Sequence, residues 1–335
     1  MMSQEPLNAP NRSWTVSGQL QDVPIHVSGD HPIIRTLVEE FVTPMVGRDG
    51  HPSLDVLEFS LTLLDGEPDR SRPAGLEAPI QFANVSCFQK GSVFSFHTKD
   101  GSVLEADVAA GRAWGHLSET LLEAPRYTFT DLLMAPLMEM LKQRGFYGLH
   151  AAALAKEEAG YLFPGGAESG KTTIALSLVK REFRYLADDK VLLRKEDGDI
   201  AALAFTRRFN IDPDIGRHYQ ELRFLKDLEP LPGIEKRPYD ISRVYPNAFV
   251  SSCRPTFLIH LERTEASRSE IARLSSHESF TRLLHQTILS FHRPVAAQQL
   301  KLFADLARGT KSYLLHLGDD LYGAPERLLD LLPPS

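Results

Sequence analysis

The sequence predicts an α/β protein with two domains: a smaller, strand-rich α+β domain at the N-terminus and a larger α/β core after it. Three observations predict this architecture. The length of 335 residues corresponds to about two domains of roughly 150 residues each. Short alternating apolar runs dominate residues 14–114, and such runs are typical of strands. From residue 149 onwards the chain instead follows the order strand, glycine loop, helix and strand, which is typical of an α/β core.

Composition and charge narrow the classes of function. Hydrophobic residues make up 42% of the chain and charged residues 24%, which is the balance of a folded globular protein. The 37 basic and 44 acidic side chains give a net charge of −7, which argues against a general binder of nucleic acids or of anionic membranes. No apolar run approaches the roughly 18 residues of a membrane-spanning helix. We therefore expect no nucleic-acid partner and no membrane insertion.

Cysteine usage and the N-terminus bear on the compartment. The two cysteines, Cys87 and Cys253, form no C-x-x-C pair, which excludes a disulfide scaffold and a cysteine-based zinc site. The N-terminus shows no basic segment followed by an apolar core, so we expect no signal peptide. These features are typical of a cytoplasmic protein. The oligomeric state stays open, with a homo-oligomer among the options.

The first domain is predicted over residues 13–125, after a polar, flexible arm at 1–12. A helix is expected over 33–45, and the stretch 65–78, rich in glycine, proline and charge, is expected to be a loop. The alternating runs that predict strands include residues 14–18, 23–27 and 93–97.

The second domain is predicted over residues 126–335. It should begin with a helix from Asp131 to about Arg144, capped by Thr130 or Asp131. The elements expected next are two apolar strands, a helix and a third strand, at residues 149–155, 161–163, 172–179 and 185–187.

A full G-x-x-x-x-G-K-[ST] motif lies between the second of these strands and the helix. Its residues are Gly165, Gly166, Ala167, Glu168, Ser169, Gly170, Lys171 and Thr172. Glycines at this spacing let backbone N–H groups ring a phosphate, and the start of the following helix adds further attraction for an anion. The alternative is a glycine-rich turn without a ligand, which the strand before the motif and the periodic helix after it disfavour. The motif therefore predicts nucleotide binding.

Asp188 and Asp189 close the strand after the loop helix. Because the carboxyl ends of parallel strands face the ligand crevice, an acid here can reach Mg²⁺ or a substrate hydroxyl. Adjacent strand residues point to opposite faces, so both reach the site only where the strand ends or bends, and an acidic cap on a turn is the alternative. His150 lies on the strand before the loop, and from the residues alone it is more typical of a satisfied core histidine.

Taken together, three segments resemble the catalytic core of the bacterial HPr kinase/phosphorylase family and especially the looser HPr-kinase-related group. They are Leu149–Ala151, Gly165–Thr172 and Leu186–Asp189. The resemblance spans about residues 10–330, with its specific motifs in 148–190. It implies a P-loop nucleotide-binding core of the HPr kinase/phosphoenolpyruvate carboxykinase type.

The resemblance also implies ATP-dependent phosphorylation of a hydroxyl, which is a serine hydroxyl in the family. Matched by position, Lys171 and the loop amides, with the motif extended to Thr173, hold ATP. Thr172 and Asp189 hold Mg²⁺. The implied cofactors are therefore ATP and Mg²⁺.

By the same matching, Asp188 takes the proton from the attacking hydroxyl, while His150 tunes Asp188 or contacts the phosphate. Lys171 joins these two as a catalytic residue. The acceptor is then a hydroxyl-bearing peptide, protein or small molecule. Lys236 or Arg237 either supplies a further positive charge for transfer or forms an exposed basic turn.

The chain departs from the family at two points. The family usually has a serine and then an acidic residue after the lysine, whereas this chain has Thr172 and Thr173. The second family signature, a downstream glycine-rich stretch, has no counterpart in 198–240. HPr as the acceptor and the phosphorylase reaction are therefore not part of the prediction.

Two other functions stay open at this stage. In one, ATP binding or hydrolysis switches the conformation and regulates a partner without a phosphoryl acceptor. In the other, the chain carries out phosphoenolpyruvate-carboxykinase-like chemistry, which would need a Mn²⁺ site and a dicarboxylate pocket. A space for a hydroxyl beside Asp188 would separate a kinase from a switch.

Overall fold

The computed structural model describes residues 13–48, 53–64, 80–90, 93–230, 233, 235–323 and 327–333. The predicted arm at 1–12 and the predicted loop at 65–78 lie outside these residues. The chain forms two compact units, one of Met1–Gln143 with Pro230–Glu235 and the other of Arg144–Glu229 with Lys236–Ser335. Both units combine helices with mixed sheets, so the protein is a mixed α/β structure.

Within the described residues, the first unit is built on one eight-stranded sheet. Its elements are β1 (Trp14–Leu20), β2 (Val23–Gly29), α1 (Pro32–Val42), β3 (Leu57–Leu64), β4 (Ile80–Phe82), β5 (Val85–Lys90), β6 (Val93–Thr98), β7 (Val103–Asp107), β8 (Arg112–Ser118), α2 (Thr120–Glu123) and α3 (Arg126–Gln143). The strand order is β1-β2-β3-β8-β7-β6-β5-β4. Strand β3 runs parallel to both of its neighbours, whereas the other adjacent pairs are antiparallel.

Local sequence explains the elements of this unit. In β6 the side chains of Phe94, Phe96 and Thr98 are buried and the alternate ones are half-buried, because successive strand residues point to opposite faces of a sheet. Helix α1 begins where the His31 side chain accepts a hydrogen bond from the Ile33 amide, and its apolar face is buried.

Helix α3 begins at Arg126 rather than at the predicted Asp131. Thr130 is inside the helix, where its hydroxyl donates to the Arg126 carbonyl at 3.1 Å. Pro125 directly precedes the helix, and the fixed φ of proline favours helix starts, so this is the signal that the apolar periodicity missed. The helix packs against β5, β6 and β7 and belongs to the first unit. The division between the units therefore follows Gln143, not residue 125.

The second unit contains the remaining strands and α-helices, together with three short 3-10 helices at Pro213–Arg217, Gln220–Asp227 and Ile241–Arg243. The strands and α-helices are β9 (Tyr147–Lys156), β10 (Ala159–Pro164), α4 (Lys171–Val179), β11 (Arg184–Ala187), β12 (Lys190–Glu196), β13 (Asp199–Ala204), β14 (Arg208–Ile211), β15 (Arg237–Asp240), β16 (Ser252–Cys253), β17 (Pro255–Arg263), β18 (Glu270–Arg273), α5 (Ser276–Leu284), α6 (Arg293–Gly309), β19 (Lys311–Leu317), α7 (Asp320–Gly323) and α8 (Leu328–Leu331). The main sheet has the order β16-β13-β12-β9-β10-β17-β19-β18, and β14 pairs with β15 in a separate ribbon.

The sequence predicts a strand, loop, helix and strand unit whose two strands are neighbours in a parallel sheet. The observed sheet differs from this prediction. Strands β10 and β11 run in the same direction, but β9 lies between them and pairs antiparallel with both. The cause is the tight hairpin from β9 to β10, which seats β9 beside β10 before β11 is reached along the chain. Strands β10, β17 and β19 form the parallel part of the sheet.

Helices cover both faces of this parallel part. Helix α4 packs on one face in a cluster that includes Phe163, Phe257 and Ile259. On the other face, His260 of β17 lies with its Nε2 2.8 Å from the hydroxyl of Ser279 on α5. Among the helices of the described residues, none combines the length and the apolar character that crossing a bilayer requires.

Candidate functional site

The residues that the sequence singles out gather at one place in the second unit. The loop Gly165–Gly170 joins β10 to α4, and Lys171, Thr172 and Thr173 form the first turn of α4. Asp188 and Asp189 lie in the turn between β11 and β12, and His150 lies on β9. Asp189 contacts both Lys171 and His150, so these three segments are in direct contact.

The glycine loop requires glycine at Gly170 and leaves little room for a side chain at Gly165. Gly170 has φ +93° at the start of α4, a conformation that residues with a Cβ rarely adopt. A Cβ on Gly165 would lie 2.4 Å from the hydroxyl oxygen of Ser169, so the loop closes on itself there. Glu168, which is exposed, also has a positive φ of 60°, a costly conformation for a residue other than glycine.

Lys171 is buried, with 5% of its surface exposed. Its Nζ donates to the carbonyls of Gly165 at 2.8 Å and Gly166 at 2.6 Å. The nearest described carboxylate contact is with Asp189 Oδ1 at 3.9 Å. Burial lowers the pKa of Lys171. The charges of Asp189 and Asp188 oppose this shift, and the charge of Lys236 reinforces it. A buried cation with mainly neutral partners is suited to receive an anion.

Asp189 connects the lysine to the histidine. Its Oδ1 lies 2.8 Å from Nε2 of His150, and about half of its side chain is exposed. Burial opposes ionisation, but the hydrogen bond and charge of His150 and the charges of Lys171 and Lys190 lower the pKa of Asp189 to about 2. The carboxylate is therefore ionised at neutral pH and can only accept, which assigns the ring proton of His150 to Nε2.

Asp188 lies in the opposite environment, although it directly precedes Asp189 in the chain. It is 3% exposed, and its Oδ2 accepts a hydrogen bond from the backbone N–H of Asn210 at 2.9 Å. Burial first, and then the charge of Asp189, raise the pKa of Asp188 to about 7. Two adjacent carboxyls whose pKa values are pushed apart in this way are the pattern of an acid–base site.

The sequence did not single out two further residues that hold this site. Asn210 on β14 orients Asp188 through its backbone, and the Gln286 carbonyl accepts a hydrogen bond at 2.8 Å from the backbone N–H of His150. Both act through main-chain atoms, so no side-chain motif could have identified them. Of the two basic residues considered for transfer, Lys236 influences Lys171, whereas Arg237 donates to the Leu228 carbonyl at 3.0 Å.

The residues of the loop fit a phosphate group. The Ser169 hydroxyl is buried and has no hydrogen-bond partner among the described residues. Gly170 caps α4 without a side-chain hydrogen bond, so the first-turn N–H groups meet no capping side chain. The buried Nζ of Lys171 contacts the carbonyls of this loop and lies 3.9 Å from Asp189 Oδ1. An orphaned hydroxyl, open helix amides and a buried cation are together what an anion would satisfy.

For a metal ion, the site offers only a few protein ligands. Among the described residues, no group of three or more His, Cys, Asp and Glu side chains is suited to hold a metal ion. Mg²⁺ in nucleotide sites needs fewer protein ligands, since one or two carboxylates and the substrate phosphates complete its shell. Asp189 is ionised and half exposed, and Thr172 is on the first turn of α4, so the ligand types suit Mg²⁺ with a nucleotide.

Comparisons with known proteins give a remote likeness. No family model matches the chain, and no curated protein matches it. Among solved structures, it is similar to the Hpr(Ser) kinase/phosphatase from Coxiella burnetii, with 15% sequence identity, over 55% of this chain and 93% of that chain, at a TM-score of 0.31. A likeness at this level carries no argument about function, which therefore depends on the geometry of the site.

Proposed function

We propose that the protein is a Mg²⁺- and ATP-dependent kinase that transfers the γ-phosphate to a hydroxyl, in particular a serine hydroxyl, of a peptide, protein or small molecule. The observation that carries this proposal is the pairing of a buried, largely neutral-partnered Lys171 with two carboxyls of opposite pKa shift. The first feature suits phosphate binding, and the second suits proton transfer at neutral pH.

In this proposal the loop and the first turn of α4 bind the nucleotide phosphates. The loop amides other than those of Gly165 and Ser169 donate to phosphate oxygens together with the Ser169 hydroxyl, and Lys171 supplies the positive charge. Thr172 and Asp189 would hold Mg²⁺, which neutralises charge on the β- and γ-phosphates when bound. The main role of these residues is positioning, since phosphoryl transfer needs little covalent chemistry from the protein.

Asp188 would act as the general base. The hydroxyl proton passes to the Asp188 carboxylate, the hydroxyl oxygen forms a bond to the γ-phosphorus, and the bond from that phosphorus to the β,γ-bridging oxygen breaks to release ADP. A base is most effective when its pKa is close to the working pH, and the pKa of about 7 meets this condition. The Asn210 amide holds Oδ2, which fixes the carboxyl plane.

His150 would act as a positioning residue. Its Nε2–H binds Asp189, and its backbone is fixed by Gln286 and by the Gly165 amide, which donates to the His150 carbonyl at 3.4 Å. The histidine thus connects the loop, the aspartate and β9, and it keeps Asp189 ionised beside Lys171.

The test is transfer of labelled γ-phosphate from Mg-ATP to the soluble proteome of the source cell and to the products of neighbouring genes. The proposal expects a labelled acceptor whose phosphate is stable to the conditions that hydrolyse acyl and histidine phosphates, as a phosphoserine is. ATP hydrolysis without any labelled acceptor would contradict it.

One observation favours a second function, a nucleotide-driven regulatory switch. Asp188 is 3% exposed, so an acceptor hydroxyl reaches it only if neighbouring groups move, whereas a switch needs no such access. For a switch, ATP hydrolysis would be unaffected by every acceptor offered, and binding of a partner protein would differ between the ATP and ADP forms. Oxaloacetate with ATP separately tests carboxykinase chemistry.

A further inference from the structure

The loop between α5 and α6 presents two large apolar side chains to solvent next to the candidate site. Ile288 is 45% exposed and Leu289 is 36% exposed, and these two residues are called the apolar pair below. Just before them, the Gln286 carbonyl accepts from the backbone N–H of His150 at 2.8 Å, and the Thr287 hydroxyl donates to a carbonyl of β9 at 2.7 Å. The loop is therefore bonded to the stretch of β9 that carries the histidine of the site.

The topology places this loop at the edge of the sheet where the site lies. The last paired residues of β10 and β9 are Pro164 and Ala151. The loop bonds to Gly148 and His150, which are the positions of β9 just past that pair, so it lies beyond the carboxyl end of β10. The glycine loop leaves the same end, and ligands of α/β sheets bind beyond the carboxyl ends of such strands.

Buried polar groups hold this loop in one conformation. The fully buried Gln299 of α6 donates to the Thr287 hydroxyl at 3.0 Å and to the Ile288 carbonyl at 3.2 Å. Its Oε1 accepts from the backbone N–H of Ser290 at 3.0 Å, and the Ser290 hydroxyl accepts from the backbone N–H of His292 at 3.2 Å. A loop that the scaffold holds in this way can bind a partner at a low cost in conformational entropy.

The segment around the loop is basic, whereas the whole chain is acidic. Residues 279–304 contain no Asp or Glu, although the chain has 44 acidic and 37 basic side chains. The exposed residues of this segment include His285, His292 and Arg293. Its other Arg and Lys side chains are in ion pairs, whereas Arg293 forms none with the residues that the structure describes. Exposed apolar and basic side chains together are complementary to a partner that is apolar and acidic.

We propose that the apolar pair and Arg293 bind the acceptor of phosphoryl transfer, and that this acceptor is a polypeptide segment with apolar and acidic residues beside its serine. The inference rests on the kinase function proposed above and selects one class among the possible acceptors. Small molecules bind in concave sites, whereas aliphatic side chains exposed on a loop suit the flatter contact that a polypeptide makes. Because the loop is bonded to β9 at His150, a segment bound there is held beside the site.

The experiment measures which residues the kinase prefers beside a serine. Four degenerate peptide libraries each contain one central serine, and their flanking positions contain leucine with glutamate, leucine with lysine, glycine with glutamate or glycine with lysine. Transfer of labelled γ-phosphate from Mg-ATP by the full chain gives kcat/KM for each library. We expect the leucine and glutamate library to exceed the glycine and lysine library by at least about tenfold. The difference should lie mainly in KM, because docking contacts are the same in the ground state and the transition state.

Two variants assign this preference to the loop. The double variant Ile288→Ser with Leu289→Ser should remove the advantage of leucine over glycine, and Arg293→Glu should reverse the advantage of glutamate over lysine. Calorimetric titration with Mg-ATP checks that the nucleotide site of both variants is intact. The matched control is Ile33→Ser, which removes a 50% exposed isoleucine from α1 in the first unit and should leave all four values of kcat/KM as in wild type.

The outcomes separate this proposal from the function on which it rests. If wild type phosphorylates the four libraries alike, or if both variants keep its preferences, the apolar pair and Arg293 do not bind the acceptor. The acceptor proposal also fails, while the kinase proposal stands, if proteins of the soluble proteome are labelled and no library is. If Mg-ATP is bound and neither the proteome nor any library is labelled, the kinase function itself is wrong.

Discussion

Among the side chains that the structure describes, each unit buries one lysine deeply, and the two lysines differ in what surrounds them. Lys142 in the first unit is 3% exposed and Lys171 in the second is 5% exposed. Lys142 forms an ion pair with Glu139, one turn earlier in α3, and both side chains are almost fully buried. Lys171 instead donates to two neutral carbonyls, and its nearest described carboxylate is half exposed and shared with His150.

This difference shows that burial of a charge is not in itself the mark of a functional site. A buried ion pair with both members desolvated is internally compensated, and Lys142 with Glu139 meets that description. The charge of Lys171 is compensated only in part, and burial accordingly lowers its pKa. A phosphate group would complete its surroundings. We therefore interpret the first lysine as structural and the second as part of a site.

The largest expected effect concerns the candidate site in the second unit. Asp188→Asn keeps the size of the side chain and removes its basicity, so the rate of phosphoryl transfer should fall by about 10²–10⁴-fold. Affinity for Mg-ATP should change little, because Lys171 and the loop amides carry most of the phosphate contact. A single-turnover assay with labelled ATP measures the rate, and Asp199→Asn, at an exposed ion pair with Arg254, is the matched control. Transfer at the wild-type rate would show that Asp188 is not the base.

The next effect tests the structural lysine. Glu139→Gln leaves the charge of Lys142 without its buried counter-charge and should lower the free energy of unfolding of the first unit by about 3–5 kcal/mol. The two tryptophans of the chain, Trp14 and Trp114, both lie in this unit, so their fluorescence in urea reports its unfolding selectively. Binding of Mg-ATP should stay as in wild type at low urea.

The double variant Glu139→Leu with Lys142→Met is the control for that measurement. Replacing both members of a buried ion pair by apolar residues is often neutral or stabilising, so this variant should be close to wild type in stability. If Glu139→Gln is as stable as wild type, Glu139 does not compensate the buried charge of Lys142, and the contrast with Lys171 fails.

At the lysine of the candidate site, an apolar replacement should weaken nucleotide binding and leave stability intact. Lys171→Met removes a charge that is buried mainly against neutral carbonyls, so thermal stability should not fall. Affinity for Mg-ATP should fall by at least about thirtyfold, the smaller end of the effect of truncating a buried charged partner. Calorimetric titration measures the affinity, and circular dichroism melting measures the stability. Unchanged binding would overturn the assignment of the loop to phosphate.

Asp188 also predicts how stability depends on pH. Its pKa in the folded chain is about 7, whereas an aspartate in an unfolded chain titrates near about 3.9. Between these values the folded state holds a proton that the unfolded state has lost, so stability falls as the pH rises from about 4 to about 7 and then levels off. The free energy of unfolding is measured for wild type and for Asp188→Asn at several pH values, and the difference between them isolates this contribution. A difference that does not change with pH would refute it.

The sequence predicted those parts of the site that follow one another along the chain. Gly165–Thr172 and the pair Asp188 and Asp189 can be recognised because a G-x-x-x-x-G-K-[ST] motif and a strand end are local patterns. The parts it did not predict depend on pairing between distant segments. The position of β9 between β10 and β11, and the Asn210 amide on Asp188, follow from register and not from any local pattern.

Two other differences have the same origin. Apolar periodicity placed the start of α3 at Asp131, because the turn from Arg126 onwards shows no apolar stripe, although Pro125 signals a helix start. From the residues alone, His150 was more typical of a core histidine, and only its contact with Asp189 distinguishes it. The environment that raises one aspartate pKa and lowers the other is likewise a property of the folded chain.

The smallest expected effect concerns Asp189, the residue that joins the lysine to the histidine. Asp189→Asn keeps an oxygen that can accept from Nε2–H of His150, so the histidine should keep its position. The substitution removes the negative charge with which the carboxylate attracts Mg²⁺, and the Mg²⁺ concentration for half-maximal transfer should rise by roughly tenfold. The rate at saturating Mg²⁺ should stay within a few-fold of wild type, in contrast to Asp188→Asn. A Mg²⁺ titration of transfer at fixed ATP measures both quantities, again with Asp199→Asn as the control. If the Mg²⁺ requirement is unchanged while the saturated rate falls, Asp189 acts by holding Lys171 and His150, and the metal ligand must be sought elsewhere.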